Sequence, residues 1–182
     1  MTGMETVRYI PAINGTAELH ELGKKIHTDD SLLLGEYGNL NPLSLFSFIR
    51  DISMGKKYLE LILKNRNREL FDSFLCTAAA VGFDGAVIAS GLFDRKSGMG
   101  KPVFDLDQAQ ALRRALSLRN EGRLAKGFIL GIMSAAGNGA VRERAAFFLK
   151  EGADFIAIAE AAAGEEAAMK EFKDRICIIR EL

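Results

Sequence analysis

"VIASGLFDRKSGMGKPVFDLD" (residues 87–107) joins an apolar run to a helix start through a long, glycine-rich and basic loop. A strand apolar on both faces, then a loop, then a helix make one βα unit of a parallel sheet. Whether the chain repeats that unit decides the fold.

Apolar runs of the same kind lie on either side, at 7–10, 32–35, 58–63, 86–89, 127–133, 155–159 and 176–179. Their starts recur roughly every 20 to 30 residues, with one gap of about 40, which is the spacing of βα units. The helical stretches between them have readable ends. Asn41-Pro42 places a capping side chain before a proline suited to the first helical position. "RELFDSFLCTAAAVG" (68–82) carries Phe71, Phe74, Leu75 and Ala78 on one stripe and stops at a glycine, with Asn65 or Asn67 as its cap. Asp105 and Gln108 have the spacing of a capping box. "VRERAAFFLKEG" (141–152) gathers Val141, Ala145, Phe148 and Leu149 and stops at Gly152. No linker or low-complexity tract interrupts the pattern, so residues 1–182 are expected to form one domain.

The 182 residues include 24 basic and 24 acidic side chains, so the net charge is zero. That gives no electrostatic reason to expect nucleic acid or an anionic membrane as partner. No apolar run approaches 18 residues, and the N-terminus lacks the pattern of a signal peptide. A cytoplasmic protein is expected. Cys76 and Cys177 form no CxxC pair; Cys76 sits close to an apolar helical stripe and is expected in the core. His20 and His27 have no partners at metal-ligand spacing and are expected at the surface.

A parallel sheet with repeated crossovers is a doubly wound sandwich or a (βα) barrel. An eight-stranded barrel typically needs about 250 residues, and here no helix follows the seventh run. The pattern alone leaves an open barrel and a flat sheet both standing. Either way ligands meet the C-terminal strand ends, and the loops there carry the candidates. In "KNRNRE" (64–69), Arg66 and Arg68 either grip a phosphate or carboxylate or belong to a capped helix entry. In the 90–101 loop, Arg95, Lys96 and Lys101 lie among Gly91, Gly98 and Gly100; glycines let a backbone approach an anion, but the spacing is neither P-loop nor GxGxxG. "GIMSAAGNGA" (131–140), with Ser134, either admits a flat ligand or makes a turn. Glu36 and Glu160 each end an apolar run, as a base, a hydrogen-bond acceptor or a solvated acid.

With these loops in view, the chain resembles the methylenetetrahydrofolate reductase family. "KNRNRELFDSFLCTAAAVGF" (64–83) is similar to the family's RDRNR strand end and following helix. "KPVFDLDQAQAL" (101–112) is similar to the opening of the helix after strand four. "FLKEGADFIAIAE" (148–160) resembles the approach to strand six, and "NPLSLFSFI" (41–49) the Ser-Pro-Leu helix start after strand two. The likeness runs from about residue 41 to 160. It implies an α/β, TIM-barrel-like (βα) domain, incomplete or open, with about seven parallel strands.

It also implies a methylenetetrahydrofolate reductase-like protein of folate one-carbon metabolism, binding a reduced folate or pterin, with FAD weakly held or absent. Arg66, Ser90, Gly91, Leu92, Arg95 and Lys101 would lie along the flavin. Glu36, Ser134 and Glu160 would meet the pterin, and Glu160 would also serve as the acid. Three positions depart from the family pattern. Leu92 follows Gly91 where the family has an aspartate, Glu160 stands for a glutamine, and Arg8 in "RYIPA" falls where the family has its acid. The alternative is a non-catalytic pterin-binding or assembly subunit of a methyl-transfer complex. The unpaired first and last strands of an open barrel would favour a homo-oligomer or a second subunit.

Overall fold

A computed structural model describes residues 5–11, 13, 15–36, 41–91, 105–134, 141–159 and 171–181. The βα repeat is present along the chain. Strands β1 (Glu5–Ile10), β2 (Ser31–Leu34), β3 (Lys57–Ile62), β4 (Gly85–Ala89), β5 (Ile129–Ser134), β6 (Phe155–Ala159) and β7 (Ile176–Glu181) alternate with helices α1 (Thr16–Lys25), α2 (Pro42–Ile49), α3 (Arg68–Val81), α4 (Gln108–Asn120) and α5 (Val141–Glu151). All neighbouring strands are parallel and their order is sequential.

The expected (βα) barrel with seven parallel strands is therefore the fold, with one correction. The barrel is closed, not open: β1 pairs with β7 in parallel from Glu5 opposite Cys177 to Tyr9 opposite Glu181. The strand edges invoked for association are hydrogen-bonded to each other, so that ground for an oligomer is gone.

Two apolar layers follow from the period-2 alternation of strand side chains. Ile10, Leu32, Leu34, Leu59, Leu61, Ala86, Ile88, Leu130, Ile132, Ile156 and Ile158 face outward and bury the helix stripes. Val7, Leu33, Tyr58, Val87, Ala157, Cys177 and Ile179 face inward and fill the barrel. Strands buried on both faces explain why the sequence shows near-continuous apolar runs.

The helix ends match the sequence signals, with one shift. Asn41 caps α2 with Pro42 in its first turn, Asn67 caps α3, and Gly82 ends α3 in a left-handed conformation. The capping box of α4 is Asp107 with Gln110, not Asp105 with Gln108. The helix starts two residues later, which frees both displaced residues for longer-range contacts. The Asp105 carboxylate accepts from the Arg68 backbone N–H at 2.7 Å. Gln108 Nε2 donates to the carbonyls of Ile88 and Met133 at 3.0 and 2.9 Å. Gln108 Oε1 accepts from Arg144 at 2.8 Å, so one side chain ties β4, β5 and α5 together.

Cys76 packs against the outer core, and both histidines are exposed, as expected. Arg8 lies between inward-facing Val7 and Tyr9 and pairs with Asp30 at 3.5 Å. It is thus on the outer side of β1.

Candidate functional site

Because the strands are parallel, all their C-terminal ends lie on one side. Glu36, Arg66 and Ser90 follow the ends of β2, β3 and β4 and stand together on that rim. Leu92, Arg95, Lys101 and Glu160 lie outside the described residues.

Glu36 and Arg66 form an ion pair, with Arg66 buried and Glu36 partly buried. Glu36 Oε2 also accepts from the Ile62 backbone N–H at 2.7 Å. Arg66 Nη1 donates to the Ile62 carbonyl at 3.2 Å, and the guanidinium lies 4.1 Å from the centre of the Phe74 ring. Its Nε is buried and has no partner among the described residues. Arg66 therefore turns back over the end of β3 and clamps it to β2. Planarity and five donors suit arginine to that combination of stacking and pairing.

Ser90 is exposed at the end of β4. Gly91 has φ +78°, and a β-carbon there would come within 2.6 Å of Ile62 Cγ2. A glycine is required at this point for the chain to pass over the β3 end. Ser134 is buried at the end of β5, on the outward side of a strand whose Gly131 and Met133 face in. Its hydroxyl has no partner among the described residues.

The interior adds a residue that the loop survey did not single out. Glu60 stands on the inward face of β3, between Tyr58 below and Ile62 above, and is 8% exposed. Tyr9 of β1 donates its hydroxyl to Glu60 Oε2 at 3.0 Å. The contact spans β2, and Gly35 makes it feasible: a β-carbon at Gly35 would sit 2.7 Å from the Tyr9 hydroxyl oxygen. Burial pushes the Glu60 carboxyl above the ordinary glutamate range; the Tyr9 hydrogen bond opposes this, and the Glu36 charge adds to it. The available signal was the strand "KYLELI" itself, a carboxylate in a run otherwise apolar on both faces.

Among the described residues, no group of His, Cys, Asp and Glu side chains is arranged to hold a metal ion. None of the helices described there is long and apolar enough to cross a membrane. A surface groove of about 390 Å³ runs between α5 and residues 171–175, beside Phe172 and Arg175. It is outside the barrel, toward the N-terminal end of β7, and is remote from the rim.

No family model and no curated protein sequence matches the chain. Solved structures do. The chain is similar to orotidine 5'-phosphate decarboxylase from Lactobacillus acidophilus, with a TM-score of 0.55 and 9% identity over 97% of this chain and 89% of that one. It is also similar to 2,3-dimethylmalate lyase, a member of the PEP mutase/isocitrate lyase superfamily, with a TM-score of 0.59 and 11% identity over 97% of this chain and 76% of that one. Likeness at these identities establishes the (βα) barrel and leaves activity to the side chains on the rim.

Proposed function

We propose that this barrel binds a reduced folate or pterin at its C-terminal rim and acts in one-carbon metabolism as a methylenetetrahydrofolate reductase-like protein. The observation that carries the reading is the convergence of Glu36, Arg66, Ser90 and the interior Glu60 at one end of the strands. That is where barrel ligands sit. The resemblance centred on the β3 end supplies the ligand class. Glu160, next after β6, would accept from the 2-amino and ring N–H groups of the pterin. A flavin would run along the β4–α4 connection from Ser90 and Gly91.

A binding role without redox chemistry is the second reading. Two features favour it: Leu92 in place of the family's aspartate, and the mutual engagement of Glu36 and Arg66, which leaves neither as a free ion. Association with a second copy or another subunit belongs to either reading. Replacing a carboxylate by leucine removes a charge and an acceptor and adds apolar surface.

The absorbance spectrum of the purified protein separates the two. Flavin bands in stoichiometric amount support the reductase; their absence, with saturable binding of 5-methyltetrahydrofolate in a calorimeter, supports the binding protein. No binding of the folate and no flavin defeats both.

A further inference from the structure

We propose that Glu60, held by Tyr9 across Gly35, is the group of this barrel that exchanges a proton with a ligand seated at the C-terminal mouth. The folate reading enters only through the choice of test ligand; the inference about Glu60 rests on the geometry.

A carboxyl in a closed barrel interior is an unusual placement. Each alternate position of β3 points inward, so position 60 could hold an apolar side chain like its neighbours Tyr58 and Ile62. Buried carboxylates are normally paired with a cation. Among the described residues Glu60 has no ion pair. Its side-chain partner is a phenol, which donates one hydrogen bond and carries no charge, and the Glu36 backbone N–H adds a second, likewise uncharged, donor.

The charges around it do not substitute for a cation. From β1 comes the Tyr9 hydroxyl; from the end of β2 comes Glu36, whose negative charge is already engaged by Arg66. Strands β4, β5 and β6 contribute no ionisable side chain. On β7, Glu181 is the register partner of Tyr9 and is exposed, and Arg180 lies on the alternate face. Lys64 lies over the β3 end, against Gly91.

Glu60 lies one inward step below the C-terminal end of β3. The arrangement holds the carboxyl in either protonation state. When neutral, it presents an O–H to a basic ring nitrogen or carbonyl oxygen of the ligand. Transfer breaks that O–H bond and forms an N–H or O–H bond on the ligand. The carboxylate left behind keeps the Tyr9 hydrogen bond. No electrons leave or enter, so the step needs no co-reactant. Tyr9 and Gly35 are positioning residues: one bonds Glu60 and the other leaves the space for that bond.

Two measurements test this on the intact chain. Difference infrared spectra recorded against pH follow the carbonyl stretch of protonated carboxyls. One such band should persist above the ordinary glutamate range in the parent and be missing from Glu60→Gln. In Tyr9→Phe it should persist to still higher pH, because the lost hydrogen bond favoured the ionised form. A merely structural, permanently ionised Glu60 would show no such band, and that result overturns the proposal. Calorimetry with 5-methyltetrahydrofolate in two buffers of different ionisation enthalpy then counts protons exchanged on binding. The parent should exchange a proton and Glu60→Gln should not; equal exchange in both overturns the role. If the parent does not bind the folate, the pterin reading falls, and the infrared result alone decides for or against a proton-holding Glu60.

Discussion

In the lower half of the barrel interior, Tyr58 packs against Phe155 with ring centres 5.3 Å apart and planes tilted by 58°, among Val7, Leu33, Val87 and Cys177. Two residues higher on the same strand, Glu60 stands where another apolar side chain would fit, and above it Glu36 and Arg66 are paired under partial burial. The same strand, facing the same interior, changes from packing to polar chemistry within one side-chain repeat. Hydrophobic burial stabilises the lower half, at roughly 1.5–3 kcal/mol per large side chain. The upper half costs stability, since an apolar replacement of a buried ionisable group is often neutral or stabilising. Among the described residues the interior carboxyl Glu60 lies toward the C-terminal strand ends, the end at which the ligand is proposed to sit.

The largest effect is expected in the lower half. Tyr58→Ala removes a fully buried ring and should lower unfolding stability by about 3–5 kcal/mol, measured by urea denaturation. If the interior relaxes to fill the space and the loss is slight, the lower half is not the packed support described. Breaking the rim clamp comes next. Arg66→Ala leaves the partly buried Glu36 carboxylate without its cation and should cost about 3 kcal/mol. The double replacement Arg66→Met with Glu36→Gln should recover most of that loss, and a double-mutant cycle measures the coupling. A purely additive cycle would show that the pair is not a unit.

Gly35→Ala is expected to cost about 1–3 kcal/mol by overpacking, because the new methyl meets the Tyr9 hydroxyl and the Ile10 carbonyl. It should also break the bond to Glu60, so the Glu60 titration should move as it does in Tyr9→Phe. A smaller effect is the pH dependence of stability from Glu60 itself. Its folded-state pKa is raised, mainly by burial. The folded state therefore binds the proton more tightly than the unfolded chain. This contribution is fully present below the ordinary glutamate pKa and is lost as pH rises through the raised folded value. Relative to Glu60→Gln, the parent should lose stability across that window. Parallel curves for the two proteins would place Glu60 in water-like surroundings.

Much of this architecture was legible in the sequence because strands buried on both faces leave an unmistakable pattern. Residues 155–159 were located to the residue for that reason, and the cap of α2 because Asn41-Pro42 combines a capping side chain with a first-turn proline. Closure was not legible. Whether β1 meets β7 depends on the tilt and stagger of all seven strands, which no local pattern records. The rim was partly legible: the rule about strand ends led to Glu36, Arg66 and Ser90. That rule looks only at loops, so it passed over Glu60 and Tyr9, which lie within strands. Their meeting depends on Gly35, just past the end of the strand between them, lacking a side chain, a three-strand coincidence that appears only after folding. The shifted cap of α4 has a similar origin, since Asp105 and Gln108 are used by α3 and by the β4 and β5 ends.

The difference between the two halves of the interior is tested most directly by Glu60→Leu, measured twice. Its affinity for 5-methyltetrahydrofolate is compared with that of the parent by calorimetry at neutral pH, and its urea midpoint is measured alongside. The account predicts that the leucine variant is at least as stable as the parent and binds the folate about tenfold or more weakly, the equivalent of about 1.4 kcal/mol or more. A variant that binds as tightly as the parent, or one that loses stability in step with affinity, would contradict it by making Glu60 part of the packing.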